Sequence, residues 1–320
     1  MPTKKKNPGE GQPENSLERL DKQILEEREK LVKIRDIKCY PLLLSDASIG
    51  NRLVDDVFDD LSKNYSSCDN LDVILDSSGG DIDAAYNLAQ LLRRYGPKRL
   101  VFIVPRWAKS AATLLVCGGD EILMTPVAEL GPIDPQITAF NPLEQRMEEF
   151  SPLHIESTLE LIRQEYKNDN VQLADGLLRR LQFPLTLGSF KKSLDIGKQY
   201  AEKLLTTRML RDEAKKEEMA AQIATKLTMG YTDHGYCINY EETKELGLKC
   251  NEMPEEMLKV VWSIHRLANK KREIIRKKKE ERVQEQLKHI PKEILKQFPP
   301  ASGVSPKMPN VQSEGDGRHD

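Results

Sequence analysis

Two short runs of the sequence contain the residue types that acyl transfer needs. The run from Asp76 to Asp81 reads DSSGGD and contains two glycines, and about thirty residues later the run AKSAA places Ser110 among small side chains. A serine hydroxyl attacks a carbonyl carbon when a base removes its proton and N–H donors stabilise the resulting oxyanion. A glycine turn brings backbone N–H groups close to a substrate, and the first amides of a helix have no helical acceptor. Together the two runs predict a site in which Ser110 is the nucleophile.

Each run also has a plainer interpretation. Taken alone, a serine at the start of a helix is most often an N-cap, and two glycines after a strand are most often a tight turn. The catalytic interpretation depends on their joint occurrence, because both runs follow an apolar stretch and precede a segment of helical spacing. In an open α/β sheet, ligands and reactive groups collect at such turns, at the carboxyl ends of the strands.

The elements that position these turns alternate between strand and helix. Strands are predicted at 37–44, 71–75, 100–104 and 121–124, with helices at 49–61, 82–94 and 110–116 between them. This alternation predicts parallel strands joined by right-handed crossovers. Beyond the last strand, GPIDP predicts a rigid extended turn, and helices follow at about 152–165, 173–181, 189–205 and 215–229. We therefore expect an α/β fold, a layered βα core with helical C-terminal additions.

The chain divides into five predicted segments. Residues 1–15 and 291–320 are predicted to be disordered, and residues 37–253 to form the compact domain. Residues 16–36 form an amphipathic helix, capped by Ser16 with Glu18 or by Asn15 with Glu18, and residues 254–290 form a charged helix. The narrow apolar stripe of 16–36 suits either another subunit or the surface of its own domain. A helical partner through 16–36 or 255–287 is one expectation.

Composition limits the classes of function. The chain has 320 residues and a formal net charge of −2, which gives no overall field for nucleic acid or a membrane. The five cysteines are scattered without a C-x-x-C spacing, which indicates a reducing compartment and no structural zinc. No apolar stretch approaches the roughly 18 residues of a spanning helix, and no apolar segment follows the N-terminal lysines to make a secretory signal. We expect a cytoplasmic protein with no membrane span, no nucleic acid partner, no metal and no cofactor.

Four motifs in order resemble a known superfamily. DSSGG, AKSAA, LGPIDPQ at 130–136 and YTDHGY at 231–236 resemble the Clp protease and crotonase superfamily, and within it the serine dehydrogenase proteinase family, which is related to signal peptide peptidase. The resemblance covers roughly residues 37–253 and implies a Clp protease/crotonase-like fold. It implies Ser110 as nucleophile, with backbone N–H groups of Gly80 and Ala111 as the oxyanion hole. It also implies a homo-oligomer and a protein or peptide substrate.

The resemblance does not fix the general base. Clp-type enzymes take a histidine from just beyond the strand after the serine, where this chain has Ile133 and Asp134, and signal peptide peptidases use a lysine. His234 suits proton transfer near neutral pH, and Lys192 could serve if burial lowered its pKa. The alternatives are a structural histidine beside two tyrosines for His234 and a solvated helix face for Lys192. Asp134 either orients the base or caps a turn, and the other histidines, including His265 on the terminal helix, rank below these candidates.

Two classes of function follow. The first is a serine-type endopeptidase acting inside an oligomer. The second is a crotonase-like acyl-thioester enzyme, or a catalytically inactive oligomeric scaffold. A crotonase would need a nucleotide pocket and a carboxylate acid or base at the site, and of these only Asp134 is found, as a candidate carboxylate. The sequence therefore favours the peptidase.

Overall fold

The computed structural model describes residues 13–43, 48–65, 68–134, 137–141, 146–150, 152–180 and 187–288. The chain forms two compact units, Met1–Glu273 and Ile274–Asp320. In the second unit the described residues, 274–288, are helical. The predictions for residues 1–12 and 291–320 lie outside the described residues.

Strands and helices alternate along the first half of the chain. The described strands are β1 (Lys38–Leu43), β2 (Asn70–Asp76), β3 (Arg99–Val104), β4 (Trp107–Ala108), β5 (Glu121–Met124), β6 (Glu129–Leu130), β7 (Ile137–Asn141), β8 (Arg146–Phe150) and β9 (Cys250–Glu252). The described helices are α1 (Pro13–Arg35), α2 (Asn51–Asn64), α3 (Ile82–Tyr95), α4 (Ala111–Val116), α5 (Pro152–Lys167), α6 (Val171–Arg180), α7 (Leu187–Thr207), α8 (Lys216–Met229), α9 (Tyr240–Glu245) and α10 (Glu255–Lys288).

A five-stranded parallel sheet forms the centre of the first unit. Its strand order is β1-β2-β3-β5-β9, and each neighbouring pair is parallel. Parallel neighbours need a crossover connection, and α2, α3 and α4 provide it between successive strands. β2 and β3 are buried along almost their whole length, as expected for a sheet covered on both faces. The predicted α/β fold with a layered βα core is confirmed.

Helices cover both faces of this sheet. Val73 and Leu75 of β2 belong to a cluster that includes side chains of α2, α3, α4, α7 and α8. Ile74 points to the opposite face, where its cluster includes Ile24 and Leu31 of α1 and apolar residues of α10. The apolar stripe of α1 is therefore buried against its own sheet, and this decides between the two alternatives left open for residues 16–36.

The start of α1 differs from the prediction. The helix begins at Pro13, so Asn15 and Ser16 lie inside it and neither is its N-cap. Proline suits the first helical position, because its ring fixes φ at a helical value. An N–H at this position would have no helical acceptor, so its absence in proline costs nothing.

Two small β elements have no sequence signal. The two-residue strands β4 and β6 pair in parallel and are too short to show periodicity. The β7–β8 hairpin lies between the predicted turn at GPIDP and the helix predicted from about residue 152, where no element is predicted. Within the described part of the chain, no helix combines the length and the apolar character needed to cross a bilayer.

Candidate active site

The first residues beyond β2 lie beside β4 and bring the two predicted motifs together. Ser77 N–H donates to Trp107 O at 2.9 Å, and Lys109 N–H donates to Ser77 O at 3.1 Å. A Cβ built on Gly79 would lie 2.9 Å from Ser110 Cβ and 2.8 Å from Lys109 O. Those distances leave no room for a side chain, and Gly79 also has a φ of +112°. Only glycine therefore allows the turn to pack directly against the serine.

Ser110 has a strained backbone. Its φ of 52° and ψ of −120° lie in a region that residues with a side chain rarely adopt. The Ser110 carbonyl accepts from Thr113 N–H at 2.8 Å and so begins α4, but the side chain makes no capping hydrogen bond. In hydrolases that carry a serine nucleophile on a sharp strand-to-helix turn, such strain presents the hydroxyl to the substrate. The hydroxyl of Ser110 is thus available for chemistry, because it does not cap the helix.

The N–H groups of the glycine turn differ in whether they have a hydrogen-bond acceptor within the turn. Gly79 N–H donates to Ser77 Oγ at 3.1 Å, and Asp81 N–H donates to Ile49 O at 2.8 Å. Gly80, between them, forms a parallel bridge with Ile49. In a parallel bridge of this kind Ile49 bonds to the residues on either side of Gly80, so Gly80 N–H points away from Ile49.

The first turn of α4 leaves a second donor. Ala112 N–H donates to Lys109 O at 2.9 Å, and Thr113 N–H is used by the serine carbonyl. Ala111 is the first residue of the helix, where an N–H has no helical acceptor. Neither Gly80 N–H nor Ala111 N–H is among the paired donors of the described turns. Two backbone donors without an acceptor in these turns therefore lie in the residues next to Gly79 and next to Ser110, which are packed together.

α4 also holds the segment that carries Asp134. Thr113 Oγ1 lies 2.7 Å from Gly131 O and accepts from Gly131 N–H at 3.1 Å. Further along, Ile133 N–H donates to Leu227 O of α8 at 2.8 Å. The segment is thus fixed at both ends, and Asp134 is buried.

The Asp134 carboxylate faces His234. Asp134 Oδ2 lies 3.5 Å from His234 Nδ1, and the histidine side chain is 37% exposed. That distance is longer than a normal hydrogen bond, but bonds to a catalytic base are often long in an unliganded protein and shorten when substrate binds. The pair has the arrangement in which a carboxylate orients an imidazole base.

Lys109 ties the serine turn to the loop that carries His234. Its ammonium donates to Leu130 O and to Tyr236 O, each at 3.1 Å. The sequence does not predict this role, although Lys109 lies inside the AKSAA motif. Since its donors are occupied by carbonyls, Lys109 is a link between two site segments and not a candidate base.

Glu129 strengthens this link. Its carboxylate lies 3.3 Å from Lys109 Nζ and accepts a hydrogen bond from the Cys237 thiol. Burial alone would raise the pKa of Glu129, but the hydrogen bond from Cys237 and the charge of Lys109 outweigh burial and lower the pKa. Burial and, after it, the hydrogen bond to the same carboxylate raise the pKa of the Cys237 thiol, which makes it a poor nucleophile.

Lys192 lies on α7 with an exposed side chain. The prediction of Lys192 as the base requires a buried side chain, and the structure does not bury it. α7 reaches the site farther along, where a Cβ built on Gly197 would lie 3.6 Å from Ile133 Cγ2.

The predicted site residues form two groups. Gly80, Ser110 and Ala111 make one group, and Asp134 and His234 make the other. Among the described residues, no hydrogen bond joins the serine hydroxyl to a base. No set of three or more His, Cys, Asp or Glu side chains in the described ranges could hold a metal ion.

A second histidine–aspartate pair lies beneath the site. His265 Nδ1 is 2.9 Å from Asp76 Oδ2, and both side chains are buried. The sequence predicts only that His265 lies on a charged helix, and it does not predict this pair. A signal existed, because Val261, Ile264 and Ala268 have helical spacing and His265 lies on the same side of α10.

The parallel sheet and the strained serine at a strand-to-helix turn are features of a ClpP-like layered α/β protein. Residues 63–148 match the family model described as a ClpP-like SDH-type serine proteinase. The matched stretch contains Gly80, Ser110 and Asp134, whereas Lys192 and His234 lie outside it. The resemblance to serine dehydrogenase-type proteinases is confirmed, and the match supports a ClpP-like serine proteinase.

Two relatives are uncharacterized proteins of Methanocaldococcus jannaschii. One is 28% identical over 188 residues, which cover 58% of this chain and 56% of the relative. The other is 26% identical over 181 residues, which cover 57% of this chain and 52% of the relative. The chain spans about half the length of these relatives.

Three solved structures show distant likeness. Two are mutants of the 1510-N membrane-bound stomatin-specific protease. The one in complex with a substrate peptide has a TM-score of 0.40 at 15% identity and covers 67% of this chain and 74% of its own. The other has a TM-score of 0.41 at 16% identity, and the match covers 69% of this chain and 83% of that protease chain. A third is an enoyl-CoA hydratase from Mycobacterium avium subsp. paratuberculosis K-10, with a TM-score of 0.24 at 12% identity over 58% of this chain and 90% of its own. Likeness at this level does not define a function.

Proposed function

We propose that this chain is a serine peptidase that hydrolyses peptide bonds, with Ser110 as the nucleophile. The N–H groups of Gly80 and Ala111 form the oxyanion hole. The observation that carries the proposal is a strained serine, whose hydroxyl caps nothing, packed against the glycine turn, with backbone donors of Gly80 and Ala111 that are not among the paired donors of the described turns. Donors that are already in place where charge develops are usually the largest contribution to acyl transfer.

In the proposed mechanism His234 is the general base and Asp134 orients it. Because Nδ1 faces Asp134, Nε2 is the ring nitrogen that takes the proton from Ser110 Oγ. The hydroxyl oxygen then attacks the peptide carbonyl, and the oxyanion of the tetrahedral intermediate accepts from the two backbone donors. His234 returns the proton to the departing amine, and water hydrolyses the acyl-enzyme in the same way. Lys192 is the alternative base.

The wider assignment is part of the same proposal. We place the peptidase in residues 37–253, and we propose a homo-oligomer that takes protein or peptide substrates. The described cysteines are all free, which supports the proposed cytoplasmic location because thiols stay reduced there.

A fluorophosphonate probe tests the proposal, because it reacts with an activated serine. We expect the full chain to be labelled and the Ser110→Ala variant to lose the label while its far-UV circular dichroism is unchanged. Ser62→Ala is the matched control, since Ser62 is an exposed helical serine of α2 that contacts only backbone in that helix. Undiminished labelling of Ser110→Ala would remove Ser110 from the mechanism. Absence of labelling in the wild-type chain would favour the thioester enzyme or the inactive scaffold.

A further inference from the structure

His265 lies where α10 meets the strand ends that carry the site. The His265 side chain is 5% exposed, and its Nδ1 is 2.9 Å from Asp76 Oδ2. It stacks on Trp262 with 4.8 Å between ring centroids, and it meets Trp107 edge-on at 6.1 Å. No step of the proposed hydrolysis uses this ring.

The neighbours of His265 fix its tautomer. Arg272 Nη1 donates to Asn269 Oδ1 at 3.0 Å, which turns Asn269 Nδ2 toward His265 Nε2 at 2.8 Å. Nε2 therefore accepts a hydrogen bond, Nδ1 carries the proton, and Nδ1–H donates to Asp76. Both ring nitrogens are occupied, so the imidazole is held in one orientation.

Arg272 completes the network around the carboxylate. Its Nη2 is 3.1 Å from Asp76 Oδ2 and 3.2 Å from Asp76 O, and its guanidinium lies 5.9 Å from the centroid of the Trp107 ring. In the described chain Asp76 Oδ1 is buried without a hydrogen-bond partner. A buried ion pair adds little net stability because desolvation offsets the attraction, and an unpaired oxygen adds a cost. A gain in stability therefore does not explain this network. Its effect is to hold the side chains in a fixed geometry.

The two segments that His265 contacts lead directly into the two site turns. Asp76 is the last residue of β2, four positions before Gly80, and Trp107 begins β4, three positions before Ser110. A shift of either segment would change the spacing between the Gly80 N–H and the Ser110 hydroxyl. A misplacement of about 1 Å at a reacting group can cost about 100-fold in rate.

We propose that His265, held by Asn269 and Arg272, is a positioning residue that fixes the end of β2 relative to β4 and thereby sets the oxyanion donors against Ser110. Through these three side chains α10 becomes a structural part of the site, although it contributes no catalytic group. The inference rests on the proposed peptidase function, and its test contains a measurement that does not need activity.

Two substitutions at residue 265 separate the hydrogen bond from the bulk of the ring. His265→Leu puts an apolar side chain of similar reach in place of the imidazole and loses both hydrogen bonds. His265→Asn keeps an N–H that can donate to Asp76. Arg266→Ala is the matched control, because Arg266 is the exposed neighbour on the same helix.

Kinetics with fluorescein-labelled casein give the first measurement. For His265→Leu we expect kcat to fall about 10- to 100-fold with KM within about twofold, because displaced oxyanion donors weaken binding of the transition state more than binding of the substrate. His265→Asn should recover most of the loss, and Arg266→Ala should match the wild type. Equal defects in the Asn and Leu variants would overturn the role of the hydrogen bond to Asp76.

Hydrogen–deuterium exchange gives the second measurement. In His265→Leu the amides of 76–81 and 107–112 should exchange about tenfold faster, since loosened segments open more often. The Asn variant should stay close to the wild type. Both tryptophans of the chain flank His265, so a change in their fluorescence reports whether the network has been disturbed.

The two proposals can fail separately. If the wild-type chain is not labelled by the fluorophosphonate, the peptidase proposal fails and exchange alone decides the positioning role. Unchanged exchange at 76–81 in a folded His265→Leu variant would overturn the positioning role, whatever the activity. If His265→Leu does not fold, Arg272→Met is judged by the same two measurements and the same outcomes.

Discussion

The molecule contains two histidine–aspartate pairs whose surroundings differ. In the outer pair His234 is 37% exposed, and its Nδ1 is 3.5 Å from Asp134 Oδ2. In the inner pair His265 is 5% exposed, and its Nδ1 is 2.9 Å from Asp76 Oδ2. The inner histidine has both ring nitrogens occupied, whereas the outer one has an Nε2 without a partner among the described contacts.

This difference separates the two roles that a histidine can take. A general base must gain and release a proton, so one ring nitrogen has to be free and within reach of the substrate. A positioning histidine must keep one tautomer and one orientation, which occupied nitrogens and burial provide. The surroundings of each pair therefore suit the same two residue types to different proposed roles.

The largest expected effect is on the outer pair. His234→Ala should lower kcat/KM about 100- to 10,000-fold, the usual contribution of a general base. The melting temperature should change little, because the His234 side chain is partly exposed and has no close hydrogen bond. Steady-state peptidase assays and thermal melts measure both effects, with Lys192→Ala as the comparison. Small and equal losses in the two variants would mean that the base is another residue.

The second-largest expected effect is on stability. We expect the free energy of unfolding to fall more when the Asp76–His265 pair is broken than when the Asp134–His234 pair is broken. Asp76→Ala leaves the buried His265 and the half-buried Arg272 without their carboxylate, and removal of one partner of a buried ion pair costs about 3–5 kcal/mol of unfolding free energy. Asp134→Ala should cost less, because the exposed His234 can bind water in place of the carboxylate. Urea denaturation at constant m-value measures the two losses. A larger loss for Asp134→Ala would reverse the comparison.

The smallest expected effect concerns the link between Lys109 and the His234 loop. Glu129→Gln should cost about 1 kcal/mol at neutral pH, because the half-buried Lys109 loses the charge of its partner. The pKa of Glu129 is lowered in the folded chain, so its stabilisation is present above the unfolded pKa of about 4.3 and is lost as pH falls through the folded value. The difference between wild type and variant, measured by denaturation, should therefore be constant near neutrality and shrink below about pH 4. A difference that grows on acidification contradicts this sign.

The first group of the site was predictable from the sequence. Ser110 and the glycine pair lie in turns bounded by strands and helices with clear periodicity, and the parallel sheet brings successive turns to the same edge. The proposed base was less predictable, because His234 comes from a loop far along the chain and its approach to Asp134 depends on long-range packing. The positions of β4 and β6 could not be predicted, since two-residue strands have no period and depend on their partners. The hairpin of β7 and β8 was not predicted either.

The sequence by itself determined the alternation of strands and helices, the order of the motifs and the choice of Ser110, because apolar periodicity and glycine act locally. Only the tertiary structure decided that the stripe of α1 packs on its own sheet and that Lys109 links two segments of the site. It also decided that His265, on a charged helix, is buried against Asp76. The physical reason is that the burial and the partners of a side chain depend on contacts between residues far apart in the chain, here 189 positions for His265 and Asp76.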